Sequence, residues 1–145
     1  MNAHRWNFAP LWDNADVLLK GAFGTLRLFA LCAVAALALG LLLGLVRASD
    51  RTLARGAARA FVEFFRNTPV LVLILWFYFA LPILVPFEVS PLGAAALGIS
   101  LNSAAFTAEI VRGGIASTDR GQWEAARAIG MSGAQAMRRV VLPQA

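Results

Sequence analysis

Groups able to do covalent chemistry are few and scattered along the 145 residues. The acids Asp13, Asp16, Asp50, Glu63, Glu88, Glu109, Asp119 and Glu124 form no catalytic pair. His4 is the single histidine; it sits in a polar N-terminal arm with no Cys, Asp or Glu at ligand spacing, so a solvated role is expected and no metal site. Cys32 is the single cysteine and lies inside an apolar run, which rules out a disulfide framework and leaves it the role of a small apolar residue. Neither GxxxxGK(S/T) nor HExxH, GxSxG or CxxC occurs, so nucleotide binding through a P-loop of its own is excluded, an enzyme is disfavoured, and no cofactor is expected. The spacings offer ionic and docking chemistry instead. Glu109 and Arg112 stand at i,i+3, and Arg47, Arg51, Arg55 and Arg59 recur every four residues. Near the C-terminal end, residues 121–145 form a basic amphipathic stretch in which Glu124, Ala125, Ala126 and Gly130 offer little side-chain bulk beyond one carboxylate.

Composition fixes what must hold these groups. With 59% hydrophobic residues, 14% charged and a mean hydropathy of +0.68, the chain carries more apolar surface than a soluble core of this length hides, since ordinary domains are about 45–50% apolar and about 25% charged. A membrane protein is expected. The first uncharged run, residues 28–46, reaches about 28 Å as a helix and so matches the hydrocarbon thickness. Gly40 and Gly44 within it make a small-xxx-small pair, either a helix interface or a chance occurrence in an Ala/Gly/Leu-rich segment. A second run, residues 67–87, opens with Asn67-Thr68-Pro69 and is expected to stop near Leu81, because Pro82 and Pro86 end or kink a helix. The third, residues 89–108, is long enough to span but contains Asn102, Ser103 and Thr107, which belong against protein or a water-filled cavity. No cleaved signal peptide is expected, because the first apolar run exceeds the length of a signal h-region.

Charge supplies the orientation. Five arginines fall between the first two runs and five after the third, none lies in the Pro82 to Pro91 connection, and three basic residues precede the first run. The positive-inside rule therefore predicts a cytoplasmic first loop and C-terminal tail, with the N-terminus and the proline-rich connection outside. Arg47, Arg51, Arg55 and Arg59 would share one helical face, where like charges cost about 0.2–0.5 kcal/mol per pair. Such a face either is solvated or takes up anions, and membrane lipid headgroups supply about 1 kcal/mol per basic residue.

In the tail, Asp119-Arg-Gly-Gln122 and Ser132-Gly-Ala-Gln135 have capping-box spacing, predicting two short helices around a glycine turn at Gly130, the second ended by Pro143. Trp123, Ile129, Met131, Met137 and Val140 supply apolar anchors for a helix-in-groove mode of docking. A purely structural surface helix is the competing reading. A helix-turn-helix on DNA fits badly behind three membrane spans, and no nucleic-acid partner is expected.

Glu124-Ala125-Ala126, then Gly130 after three residues, Val140 after nine more, and Leu142-Pro143 one residue later resemble the EAA loop of binding-protein-dependent ABC importer permeases, with Val140 where isoleucine is usual. Three stretches, Phe64 to Leu71, Ala108 to Ile115 and Gly121 to Ala126, are similar more narrowly to the polar amino acid branch, which includes histidine, glutamine and glutamate/aspartate permeases. The resemblance covers about residues 21–145. It implies an all-α, MetI-like type I ABC importer transmembrane domain, with three spanning helices of a five-helix core. It also implies that residues of about 117–145 form the cytoplasmic coupling loop, through which Glu124, Ala125, Ala126, Gly130, Leu142 and Pro143 meet a separate ATP-binding subunit. The other partners implied are an external amino acid-binding protein and a second permease subunit, homo- or heterodimeric, in the bacterial plasma (inner) membrane. Because such permeases hold substrate near the bilayer midplane, Asn102 and Ser103 are the candidate path lining, with Glu63, Arg66 and Thr68 as neighbours. The family carries two further spanning helices after this loop, whereas the sequence stops at Gln144-Ala145; a fragment is expected, and with it the alternative of a non-transporting membrane scaffold that only associates with partner subunits.

Overall fold

Charge ends an uncharged run without ending a helix, and the first long element is the example. The computed structural model describes residues 8–49, 51–86 and 88–144; His4, Asp50, Phe87 and Ala145 lie outside the described residues. After the short α1 (Ala9–Asp13), α2 runs from Ala15 to Arg47, 33 residues, and so begins well before residue 28. Lys20 and Arg27 are accommodated on its surface: Lys20 pairs with Asp16 at 3.3 Å, and the Arg27 guanidinium lies 4.4 Å from the centroid of the Phe23 ring. Neither breaks the backbone ladder, because both long side chains reach outward from a continuous helix. Leu19, Phe29, Val34 and Leu37 are exposed along α2, and no polar or charged residue is fully buried among the described residues. That is the apolar-outside distribution of a protein whose solvent is lipid.

The chain then forms α3 (Thr52–Asn67), α4 (Val70–Leu75), a π turn (Trp76–Ala80), α5 (Leu81–Leu84), α6 (Pro91–Ser117), α7 (Arg120–Ala128), α8 (Gly133–Ala136) and a second π turn (Met137–Val141). Helices α2 and α6 are each long and apolar enough to cross a membrane. They pack side by side and run parallel: the Cys32 thiol lies 3.7 Å from the Ala96 carbonyl, Gly40 abuts Ala104 and Thr107, and Gly44 abuts Ala108 and Val111. The buried stripe on α2 is Cys32, Ala36, Gly40 and Gly44, one residue per turn. A Cβ on Gly40 would stand 2.5 Å from the Thr107 Cβ, and one on Gly44 2.7 Å from the Val111 Cβ. The glycine pair is therefore a helix interface, made against the fully buried Ala104 and Ala108 of α6.

Between these two helices the chain makes its one sharp corner of interest. Helices α3 and α4 meet at 102° across Thr68 and Pro69. Proline drives the preceding residue out of the helical region, and Thr68 sits at φ −96°, ψ 126°. Asn67 thus closes α3 rather than opening the next helix. Beyond the corner, the backbone stays helical from Val70 to Leu84 and passes straight through Pro82, past the stop expected near Leu81. The reason is the π turn at Trp76–Ala80, in which Leu81 N–H reaches the Trp76 carbonyl five residues back. That wider turn relieves the clash that a proline ring makes with the carbonyl four residues behind it. Two small cores hold the layers: Val62, Ala105 and Ala108 join α3 to α6, while Leu73, Phe77 and Ala94 join the α4 rod to α6.

Candidate functional site

Two chemically distinct places emerge at the end of the α2/α6 pair where both helices finish. The first is the loop that follows α6. Asp119 caps α7, its Oδ1 accepting from Gly121 N–H at 2.6 Å. Helix α7 closes in a Schellman arrangement: Met131 N–H donates to the Ala126 carbonyl at 3.0 Å and Gly130 N–H to the Arg127 carbonyl at 2.9 Å. Gly130 has φ +80°, a left-handed backbone that favours glycine. Ser132 and Gln135 then form a complete, reciprocal capping box that starts α8. The two-helix loop read from cap spacing is present, although Asp119 caps by its own acceptor bond whereas Ser132 and Gln135 cap reciprocally.

Within this loop Glu124, Ala125, Gly130 and Pro143 are exposed and Leu142 is half-buried, whereas Ala126 is buried with Ala136 and Val141 where α7 packs on the second helix. Small size at Ala126 therefore serves the loop's own closure, and the outward face is made by Glu124, Ala125 and the exposed Ile129. Trp123, Glu124 and Met137 also line an open cavity of about 690 Å³ shared with Leu45, Ala48 and Ser49 at the end of α2. Trp123 and Met137, two of the apolar residues expected to face outward, thus lie toward the membrane helices, and Glu124, though exposed, opens onto the same cavity.

The second place is a knot of charge centred on Glu109. Its carboxylate receives Arg112 from the same helix, with Nη2 at 2.5 Å and Nε at 3.0 Å, Arg66 from the end of α3 at 3.5 Å, and Arg47 from the end of α2. Arg47 is the most enclosed of the three, its side chain only 10% exposed. The pairing of Glu109 with Arg112 was legible from spacing; the convergence of Arg47 and Arg66 was not. A lone acid closing a long uncharged run was the available signal, since an ionised side chain at a membrane boundary collects pairing groups from the elements packed beside it. The four-residue arginine repeat does not run along one helix, because α2 ends at Arg47 and α3 starts at Thr52, after Arg51; Arg47, Arg55 and Arg59 still line one cavity, and Arg51 does not.

The five path candidates are divided among four places. Asn102 donates from Nδ2 to the carbonyls of Phe65 at 2.7 Å and Thr68 at 3.4 Å, and so braces the corner between α3 and α4. Thr68 is at that corner, its hydroxyl donating to the Phe64 carbonyl at 2.8 Å, on the rim of an apolar cavity with Trp76 and Phe77. Glu63 accepts from Arg59 Nε at 2.7 Å on the open face of α3, and Arg66 belongs to the Glu109 knot. Ser103 lies on the opposite side, in a groove with Cys32, Ala36 and Thr107.

Parallel apolar helices packed through small residues, a bent third segment and a capped two-helix loop make an all-α membrane protein, with solved structural neighbours of the MetI-like class. The chain belongs to the family of binding-protein-dependent transport system inner membrane components, whose pattern matches residues 36–145. It is 41% identical over 132 residues to the probable amino-acid ABC transporter permease protein YckA of Bacillus subtilis, covering 91% of this chain and 58% of that protein. It is 35% identical over 142 residues to the glutamine transport system permease protein GlnP of Escherichia coli, covering 97% of this chain and 65% of that one. Among solved structures, that of an amino acid ABC transporter with histidines superposes with a TM-score of 0.87 at 33% identity, over 97% of this chain and 65% of that one. An inward-facing methionine ABC transporter structure gives 0.71 at 25% identity, over 95% and 65%. The chain thus spans about 60% of the length of the curated relatives it matches.

Proposed function

We propose that this chain serves as the permease subunit of an ATP-driven importer of polar amino acids, with the loop after α6 as the element through which a separate ATP-binding subunit acts. The observation that carries this reading is the loop itself: a rigidly capped helix pair at the end of α6, offering Glu124, Ala125 and Ile129 outward from a glycine-terminated helix. The kinship with relatives named as amino-acid and glutamine permeases supports the substrate class. In this reading the N-terminus and the proline-rich connection face outward, toward an external amino acid-binding protein. The loop faces the cytoplasm, and a second permease subunit completes the path in the plasma membrane. Asn102, Ser103, Thr68, Glu63 and Arg66 remain candidates for that path, with Asn102 and Arg66 acting also as braces. Closure of the ATP-binding subunits would move the loop and, through it, α6.

Glu124→Lys reverses the exposed charge, and Gly130→Trp adds both bulk and left-handed strain where α7 ends. Each is expected to reduce co-purification of the ATP-binding subunit from membranes at least tenfold while the chain stays in the membrane. Undiminished co-purification would overturn the docking role. Uptake of a labelled polar amino acid by vesicles holding all partner subunits tests transport itself; assembly without uptake would favour a scaffold role instead.

A further inference from the structure

Five arginines and two glutamates surround one open cavity of about 600 Å³ formed by α2, α3 and α6: Arg47, Arg55, Arg59, Arg66 and Arg112, with Glu63 and Glu109. Glu63 is taken by Arg59, and the single carboxylate of Glu109 is shared among Arg47, Arg66 and Arg112. Arg55 makes no ion pair among the described residues. The carbonyl ends of α2 and α3 lie beside Arg47 and Arg66 and contribute about half a negative charge each. An excess of about two positive charges is left on one concave surface. Guanidinium groups whose carboxylate partner is already shared keep free N–H forks, and such forks match the tetrahedral oxygens of a phosphate.

We propose that this basin is a binding site for the phosphate of an anionic phospholipid headgroup. Two features favour a lipid as the source of that phosphate. The basin lies where α2, apolar on its outer face, comes to its end at Arg47, and it is flanked on α3 by Leu53, 90% exposed, and by the exposed Phe64. A lipid fills both surfaces at once, headgroup in the basin and acyl chains along the apolar flank, whereas a free phosphate uses only the basin. The position also places the site against Glu109, so a bound headgroup competes with that carboxylate for Arg47, Arg66 and Arg112. This inference does not depend on transport, and lipid retention reads it out without any partner subunit.

The test uses the protein purified in nonionic detergent and offered equimolar dioleoylphosphatidylglycerol and dioleoylphosphatidylcholine, with co-purifying lipid counted by native mass spectrometry. The phosphatidylglycerol is expected to be retained preferentially. Arg55→Gln is expected to lower its retention about fivefold, whereas Arg51→Gln, an equal loss of charge at an exposed position that does not line the basin, leaves it unchanged. Equal retention of the two lipids would overturn the site, and an equal effect of both substitutions would reduce it to diffuse surface charge. A third arm adds inorganic phosphate at the lipid concentration. Displacement of the phosphatidylglycerol by it would overturn the lipid in favour of free phosphate, and an unaffected lipid supports the proposal.

Discussion

A carboxylate set among three guanidiniums is not exchangeable with any one of them. Removing a single arginine leaves Glu109 two partners, but removing Glu109 leaves three like charges from three helices crowded together. Glu109→Gln is therefore expected to cost about 2–3 kcal/mol, below the range of about 3–5 kcal/mol for breaking a fully buried pair because the side chain is 27% exposed. Arg66→Ala, which loses only the longest of the three contacts at a part-exposed side chain, is expected to cost about 0.5 kcal/mol. Denaturant unfolding in detergent ranks the two, and an equal cost would mean that Glu109 is no hub. At this scale the sequence was informative wherever partners are close in the chain. Glu109 and Arg112 are three apart, Ser132 and Gln135 likewise, and local geometry alone joins them. Arg47 and Glu109 are 62 residues apart, and only the packing of α2 on α6 brings them together.

Elements behave similarly. The glycine pair on α2 marks a true seam, since even the smallest added side chain at Gly40 would intrude on Thr107. Gly40→Ala is expected to cost at least about 1 kcal/mol through overpacking, whereas Gly21→Ala, with open space around the new methyl group, is expected to gain about 0.5–1 kcal/mol from helix propensity. Thermal unfolding of the two variants in the same detergent checks this; matching shifts would argue against the seam. The corner between α3 and α4 was signalled by Thr68-Pro69, but its brace was not, because Asn102 reaches it from a different helix. Asn102→Ala leaves the Phe65 and Thr68 carbonyls without that donor, an expected loss of about 1–2 kcal/mol. Hydrogen exchange at residues 66–73 should quicken, and unchanged exchange there would deny the brace. The extent of α2 and the passage of a helix through Pro82 escaped sequence reading for physical reasons of two kinds. Charge counts find where lipid ends rather than where hydrogen bonding ends, and a π turn has no residue signature comparable to a proline.

For the molecule as a whole, the parallel course of α2 and α6 requires the chain to cross back between them, and the bent α3/α4 pair is the only apolar segment available among the described residues. That connection is compatible with the topology proposed from the arginine asymmetry. In a Cys32→Ala background, Ile129→Cys is expected to react with an impermeant maleimide only from the cytoplasmic side, and Glu88→Cys only from the outside. Reaction of both from the same side would discard the topology. Membrane class and family were legible in composition and in the spacing of Glu124, Gly130 and Pro143. The dispersal of Asn102, Ser103 and Glu63 to separate faces was not, since polarity marks a residue as needing a partner without saying which one.

The helix that leads into the loop has a mechanical consequence. α6 is unbroken from Pro91 to Ser117, 27 residues, and α7 begins only two residues after it ends. At about 1.5 Å per residue it is a stiff lever about 40 Å long, so a tilt of about 3° applied at the loop displaces the far end by about 2 Å. The neighbouring segment bends by 102° at Thr68 and Pro69, and Asn102 ties that corner to α6 itself. If a partner subunit tilts the loop, as proposed, α6 carries the tilt along its whole length and takes the Asn102-braced corner with it.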